Sequence, residues 1–325
     1  MFKKTISLAR FALLGVTFAA AQACMASDYP NKPIKMVIPY TPGGSIDTVG
    51  RMVAVQLQRQ LGQPIVIENL PGASGVLGSL NVKKAKADGY TLLFNASSQV
   101  YMPLVVAKKT YDAEQDFTAV GQIGYVPLIV AVNNDVPAKS LAEFASLVKA
   151  NPGKYTWATS GLGTTSHLSE EMINRALKLN MEIIAYKGAV PQLTDVVGGH
   201  VSAAVSPMPG VRSFVQAGRL RALAVTSKTR VANMPDVPTV AESGIPGFEL
   251  LSWYGIWGPA DMPVAVTNRL NAEIAKAVDT PALMAKFAEL SFVPAKSNPE
   301  QFKKLIREDL SKIGQAVKEA NIKID

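Results

Sequence analysis

A chain of 325 residues, 48% apolar and 18% charged, can bury the core of one large domain or two ordinary ones, which excludes a disordered polymer. A single cysteine excludes a disulfide-built fold, and a net charge of +8 without any run of five basic residues argues against nucleic-acid binding.

The chain opens with the layout of an export signal. Lys3, Lys4 and Arg10 precede an apolar run over 11–21, and Ala21-Gln22-Ala23 offers a small-residue cleavage site, with Cys24-Met25-Ala26 as a second. Residues 1–26 are therefore read as a signal peptide, whose apolar run is too short for a permanent membrane span. The mature chain would start between Cys24 and Asp28 and carry a charge of about +5. Cys24 leaves with the leader or becomes a lipidated first residue; the residues before it favour a soluble product.

Beyond the leader, apolar strand-like runs alternate with amphipathic helical patterns, which predicts an α/β fold with mostly parallel sheet. A strand over 34–39 leads through the turn "TPGGSID" into a helix over 46–61, with Ile46, Val49, Val53, Leu57 and Leu61 on one face. A strand over 65–68, the turn "LPGASG" and a helix to about residue 86 follow. A third strand over 90–94 ends in the polar turn Asn95-Ala96-Ser97-Ser98. After a strand over 128–132, Ser140 and Glu143 form a capping box for a helix to residue 150. Then come a strand over 155–159, the loop "SGLGTTS" and a helix over 167–179. The pattern repeats with strands over 183–186, 201–205 and 220–225 and short helices ending at 197 and 217. Proline-rich residues 234–250 read as an ordered loop, "SWYGIWGP" as a strand, and 264–278 and 299–320 as helices. Two α/β lobes are expected, 27–128 with 251–325 and 129–250, joined by crossings near 128–132 and 253–257, with a ligand cleft between them.

Catalytic equipment is sparse. There is no G-x-S-x-G elbow, no metal-binding histidine motif and no phosphate-binding loop of the G-x-x-x-x-G-K-[ST] type. His167 opens a helix and His200 sits in a turn, so both read as structural; an exported hydrolase is the weakest reading. No catalytic residue, cofactor or metal is expected. What remains is a set of four glycine- or hydroxyl-rich turns after strands: "TPGGSID", "LPGASG", "NASSQ" and "SGLGTTSH". In open α/β sheets such loops line the ligand crevice. Their backbone N–H groups at helix N-termini hold anions without any lysine.

With these turns, the blocks "YPNKPIKMVIPYTPGGSIDTVGR", "VIENLPGASGVLGS", "DGYTLLFNASS", "SGLGTTSHLSEE", "AYKGAVPQLTDVVGGHVS", "MPDVPTVAESGIPGFE" and "WYGIWGPADMP" make the chain resemble the periplasmic solute-binding proteins of tripartite tricarboxylate transporters, the Bug receptors. The resemblance spans the whole mature chain. It implies a type II periplasmic-binding-protein fold, in which two hinged lobes close on a small carboxylate. The receptor would be a periplasmic monomer, not an enzyme, delivering its ligand to membrane carrier subunits or, in a second reading, reporting it to a sensor kinase.

Carried onto this sequence, the resemblance implies contacts from Tyr40, Thr41, Gly43, Gly44 and Asp47 of the first turn. Gly72, Ala73 and Ser74 of the second turn and Ser97 and Ser98 of the third would join them. Ser160, Gly163, Thr164 and His167 would face these from the other lobe, beside Tyr186 and Lys187. An acid opposing a carboxylate is unfavourable, so Asp47 is expected to fix the turn or a water. Where relatives place an acid or amide after "GGHV", this chain has "VSAAVSPMPG", so Ser206, Pro207 and Met208 would edge the cleft with little charge. Tyr40, Met208 and Trp253 would suit an aromatic ring, so an aliphatic di- or tricarboxylate and an aromatic carboxylate both stay open.

Overall fold

The computed structural model describes residues 29–106, 108–319 and 322; the leader reading falls on residues outside these. Strand β1 (Ile34–Ile38) is parallel to β2 (Ile65–Asn69) on one side and to β3 (Thr91–Ala96) on the other. Between them run α1 (Ser45–Leu61), which buries Val49, Val53, Leu57 and Leu61, and α2 (Val76–Lys83). Each of those four side chains contributes about 1.5–3 kcal/mol relative to exposure. α1 starts after Gly44 and is closed by Gly62 in the left-handed conformation. A further helix, α3 (Ser98–Val105), follows β3 directly and carries Pro103 inside it.

Strand β4 (Phe117–Asn133) runs for 17 residues, far longer than the 128–132 strand predicted. Gly121, Gly124 and Pro127 hid its first half. Two register shifts, at Ala119/Gly121 and Gln122/Gly124, accompany these residues. The second half of the chain supplies α4 (Leu141–Ala150), β5 (Thr156–Thr159), α5 (Thr165–Ala176), β6 (Glu182–Ala185), α6 (Ala189–Val197), β7 (Ala203–Pro207), α7 (Met208–Gln216) and β8 (Leu220–Val225). Then follow β9 (Leu251–Pro259), α8 (Val264–Val278), α9 (Pro281–Glu289), β10 (Val293–Pro294) and α10 (Pro299–Glu319). Ser140 caps α4 as its pattern predicts, accepting from the Glu143 amide at 3.1 Å.

The strand order is β2-β1-β3-β9-β4-β7-β5-β6, with β8 and β10 also pairing with β4. From Phe117↔Pro259 to Pro127↔Leu251, β4 is antiparallel to β9. From Leu128↔Pro207 onward its partners are β7 and β8. One strand thus belongs to two sheets. We term the layers around the first sheet lobe 1 and those around the second lobe 2. β4 and the segment entering β9 join them, and the turns at the ends of β1, β3 and β5 meet between them.

Candidate functional site

The first turn is built around one carboxylate. Asp47 is buried, and its Oδ2 accepts from the Gly43 amide at 2.9 Å and from Arg51 Nε at 2.8 Å; Oδ1 accepts from Asn69 Nδ2 at 2.9 Å. Burial by itself would raise its pKa. The Arg51 guanidinium, the Gly43 amide and the Asn69 amide more than offset this and hold the carboxyl below its usual range. Asp47 therefore serves the turn, with Gly43 in the left-handed region at φ 84°. Gly44 is the N-cap of α1 and has no side chain to cap with, so the first-turn amides of α1 stay open.

The opposing turn ends at α5. Thr164 is its N-cap: Oγ1 donates to Gly161 O at 2.7 Å and accepts from the His167 amide at 3.3 Å. His167 is buried, and its Nδ1 accepts from the Gly163 amide at 3.3 Å. Burial pushes its pKa down to about 4, so the ring is neutral and supports the loop. One turn further along α5, Glu170 is fully buried. Its Oε1 accepts from the Val205 amide at 3.0 Å, its Oε2 has no partner, and burial raises its pKa well above the carboxylate range.

The two turns face each other across one cavity. Thr41, Gly44, Ser45, Ile46 and Asp47 line it from lobe 1, and Ser160, Thr164, Thr165, Ser166, Ala189 and Pro207 from lobe 2. Tyr40, Ala96, Ser98, Ser252 and Tyr254 complete the wall. The cavity is small, about 40 Å³, room for roughly three waters at about 10–15 Å³ each. No Lys, Arg or His stands among these lining residues. Asp47, paired with Arg51, is the only formally charged residue of the wall; the N-terminal ends of α1 and α5 each add the equivalent of about half a positive charge. Among the described residues no cluster of three or more His, Cys, Asp or Glu could hold a metal.

The lobes touch at several points. Ser97 Oγ and Thr165 Oγ1 lie 2.8 Å apart in a buried hydrogen bond. Gly163, at φ 70°, packs so close to α3 that a Cβ would stand 2.6 Å from Met102 Sδ, 2.9 Å from Met102 Cα and 2.9 Å from Val105 Cγ2. A Cβ on Gly188 would meet Thr41 Oγ1 at 2.5 Å. Only glycine permits these approaches.

A second compartment, larger at about 200 Å³, shares Tyr40 and Ser160 with the first. Gly72, Ala73, Ser74, Gly75, Ala185, Tyr186 and Lys187 form the rest of its wall. Ala73 and Ser74 are held in left-handed backbone at φ 46° and 52°, a strain that segments around ligands often carry. The Tyr40 hydroxyl sits at the boundary, 3.1 Å from Ser74 O and 3.2 Å from Ser98 Oγ.

The expected residues thus divide by location. Tyr40, Thr41, Gly44, Asp47, Ser98, Ser160, Thr164 and Pro207 line the main cavity, and Gly72, Ala73, Ser74, Tyr186 and Lys187 the second. Lys187 is exposed. Gly43, Ser97, Gly163 and His167 stand behind the wall, as turn, latch and support. Ser206 is fully buried with its Oγ unpartnered, off both walls. Met208 is buried in the lobe 2 core and does not edge the cleft. Trp253 is also corrected: its Nε1 donates to Asp309 and its ring packs on Trp257 and Phe302, away from the main cavity. Its neighbour Tyr254 lines the cavity instead, because successive strand residues face opposite ways. Ser45, Ile46, Ala96, Thr165, Ser166, Ala189, Ser252 and Tyr254 were not expected. The first five lie inside or beside the quoted turns and could have been read from them.

The family model described as "Tripartite tricarboxylate transporter family receptor" matches residues 49–322. The chain is 34% identical over 321 residues to Protein BugT of Bordetella pertussis, covering 96% of this chain and 98% of BugT. Among solved structures, R. palustris Rpa4515 with adipate aligns at a TM-score of 0.88 with 30% identity, covering 90% of this chain and 99% of that one. MatC from Rhodopseudomonas palustris with bound malate aligns at 0.84 with 29% identity, covering 89% and 100%.

Proposed function

Because this chain belongs to the tripartite tricarboxylate transporter receptor family, we propose that it is a periplasmic receptor that captures a small organic carboxylate and hands it to membrane carrier subunits. One observation carries the reading: residues at the N-terminal ends of α1 and α5, one from each lobe, line a single cavity that no cationic side chain lines. A carboxylate placed there accepts amide hydrogen bonds from both lobes, each worth about 1.5–3 kcal/mol when one partner is charged. Four such bonds contribute about 6–12 kcal/mol, part of which offsets the cost of association. The adipate and malate bound by two structural relatives support the ligand class.

The lobes, 27–128 with 251–325 and 129–250, would separate by rotation about β4 and the entry to β9, admit the anion, and close on it. Closure excludes water and strengthens the hydrogen bonds to the trapped charge. The same closed surface would be what the carrier recognises.

A thermal-shift screen over mono-, di- and tricarboxylates, followed by titration calorimetry, tests the ligand class. At least one small carboxylate should raise the melting temperature in proportion to the logarithm of its concentration. A panel without any such shift overturns the reading. Reconstitution of carboxylate uptake with the neighbouring membrane subunits tests delivery, and uptake that needs no receptor would refute it.

A further inference from the structure

Asp47 brings a full negative charge to the wall of a cavity read above as an anion site. Only 3% of its surface is exposed, so water screens that charge poorly. At equal distance it outweighs the half charge of the helix end on which it stands. The charge that answers it stands outside the wall. Arg51 lies one turn further along α1, has half of its side chain in solvent, and lines neither compartment. Its Nε donates to Asp47 Oδ2 at 2.8 Å and its Nη2 to Asn69 Oδ1 at 3.0 Å. Asn69 Nδ2 in turn donates to Asp47 Oδ1 at 2.9 Å and to Tyr40 O at 3.0 Å. The guanidinium thus completes a ring that ties α1, the end of β2 and the first turn around one carboxylate.

We infer that Arg51 is a positioning residue for the anion site: acting through Asp47 and without touching the ligand, it cancels the one formal charge of the wall and so sets how strongly the receptor prefers dianions to monoanions. This rests on the carboxylate reading above. With both groups ionised the pair is neutral, and the helix ends act on the ligand unopposed. Without the guanidinium the wall carries one net negative charge, and its repulsion grows with every charge on the ligand. The same side chain also has a scaffolding part, its bond to Asn69. A lysine supplies the charge but not both bonds, because only the planar guanidinium reaches Asp47 and Asn69 together. Charge and scaffolding are therefore separable by substitution.

Calorimetry at low ionic strength compares wild type, Arg51→Gln, Arg51→Lys and the double variant Asp47→Asn with Arg51→Gln. Gln keeps the helix and can still donate to Asp47, so the fold survives the loss of charge. The probes are adipate and malate, each beside a monomethyl ester that has the same chain and one charge fewer. Arg51→Gln should weaken the diacid by about 10-fold or more and the ester by about 3-fold, so the preference for the dianion falls about 3-fold. Arg51→Lys should keep the wild-type preference while melting lower, since it loses the bond to Asn69. The double variant, neutral again at this place, should recover the preference even where a looser turn weakens both probes. A purely structural role predicts another pattern: diacid and ester weakened alike in every variant, with Lys as poor as Gln. That pattern overturns the inference, as does unchanged affinity in Arg51→Gln or a double variant that keeps the single variant's preference. If wild type binds neither acid, the inference falls, and the wider carboxylate panel then decides whether the carboxylate reading falls with it.

Discussion

Replacing Gly163 by alanine should weaken ligand binding without the new methyl group touching the ligand. The residue lies in lobe 2, and its nearest foreign atoms belong to α3 of lobe 1. The Met102 sulfur at 2.6 Å from the added Cβ can rotate away, but the Met102 Cα at 2.9 Å is helix backbone and cannot. Closure must then stop short or α3 must shift, and overpacking of this kind costs about 1–3 kcal/mol. At 1.4 kcal/mol per tenfold, the dissociation constant rises roughly 5- to 150-fold. The left-handed backbone adds about 1–2 kcal/mol for alanine. That strain exists whether the lobes are open or closed, so it lowers the melting temperature and leaves affinity alone. Two measurements separate the effects: the melting temperature of the free protein and the calorimetric affinity for the best carboxylate of the panel. Small-angle scattering of the liganded variant should also show a larger radius of gyration than liganded wild type. Unchanged affinity beside a lowered melting temperature would refute the closure argument, leaving Gly163 as a matter of backbone strain alone.

Two pH dependences follow from groups buried in lobe 2. His167 titrates at about 4 in the fold and near 6.5 when unfolded. Its contribution is therefore complete above pH 6.5 and declines as the pH falls toward 4, by on the order of 3 kcal/mol. Urea unfolding of His167→Asn across that range should lose this slope relative to wild type, and parallel curves would refute it. Glu170 has the opposite sign: its folded pKa is raised by burial. Stability from the neutral acid is present below the unfolded pKa and is lost as the pH rises toward the folded value. Glu170→Gln, which keeps the acceptor for the Val205 amide, should therefore gain on wild type as the pH rises above the ordinary glutamate range in the same assay. A constant difference would show that the carboxyl does not titrate as described.

The parts of this molecule that could be read from the chain are those whose signals are local. Gly44 between a strand and an amphipathic helix, and Thr164 at the end of a glycine-rich turn, announce helix starts, and both lie at the cavity. The parts that were missed depend on contacts between distant residues. "SWYGIWGP" is apolar on both faces because β9 is buried between β3 and β4. No alternation in it shows which aromatic residue turns toward the ligand, and Trp253 was taken where Tyr254 stands. Gly163, a ligand contact by the family resemblance, packs against Met102 of the other lobe, a neighbour that no local pattern announces. The first half of β4 was hidden by the glycines and proline that let it bend, and α3 by its polar start and internal Pro103.

Strand β4 has a consequence for how the molecule comes apart. Its 17 residues extend for about 55 Å, and its hydrogen bonds are shared between both sheets. Melting either half strips the central ladder from the other. The protein should therefore lose structure as one cooperative unit, and neither half should survive as a stable fragment when cut at residue 128.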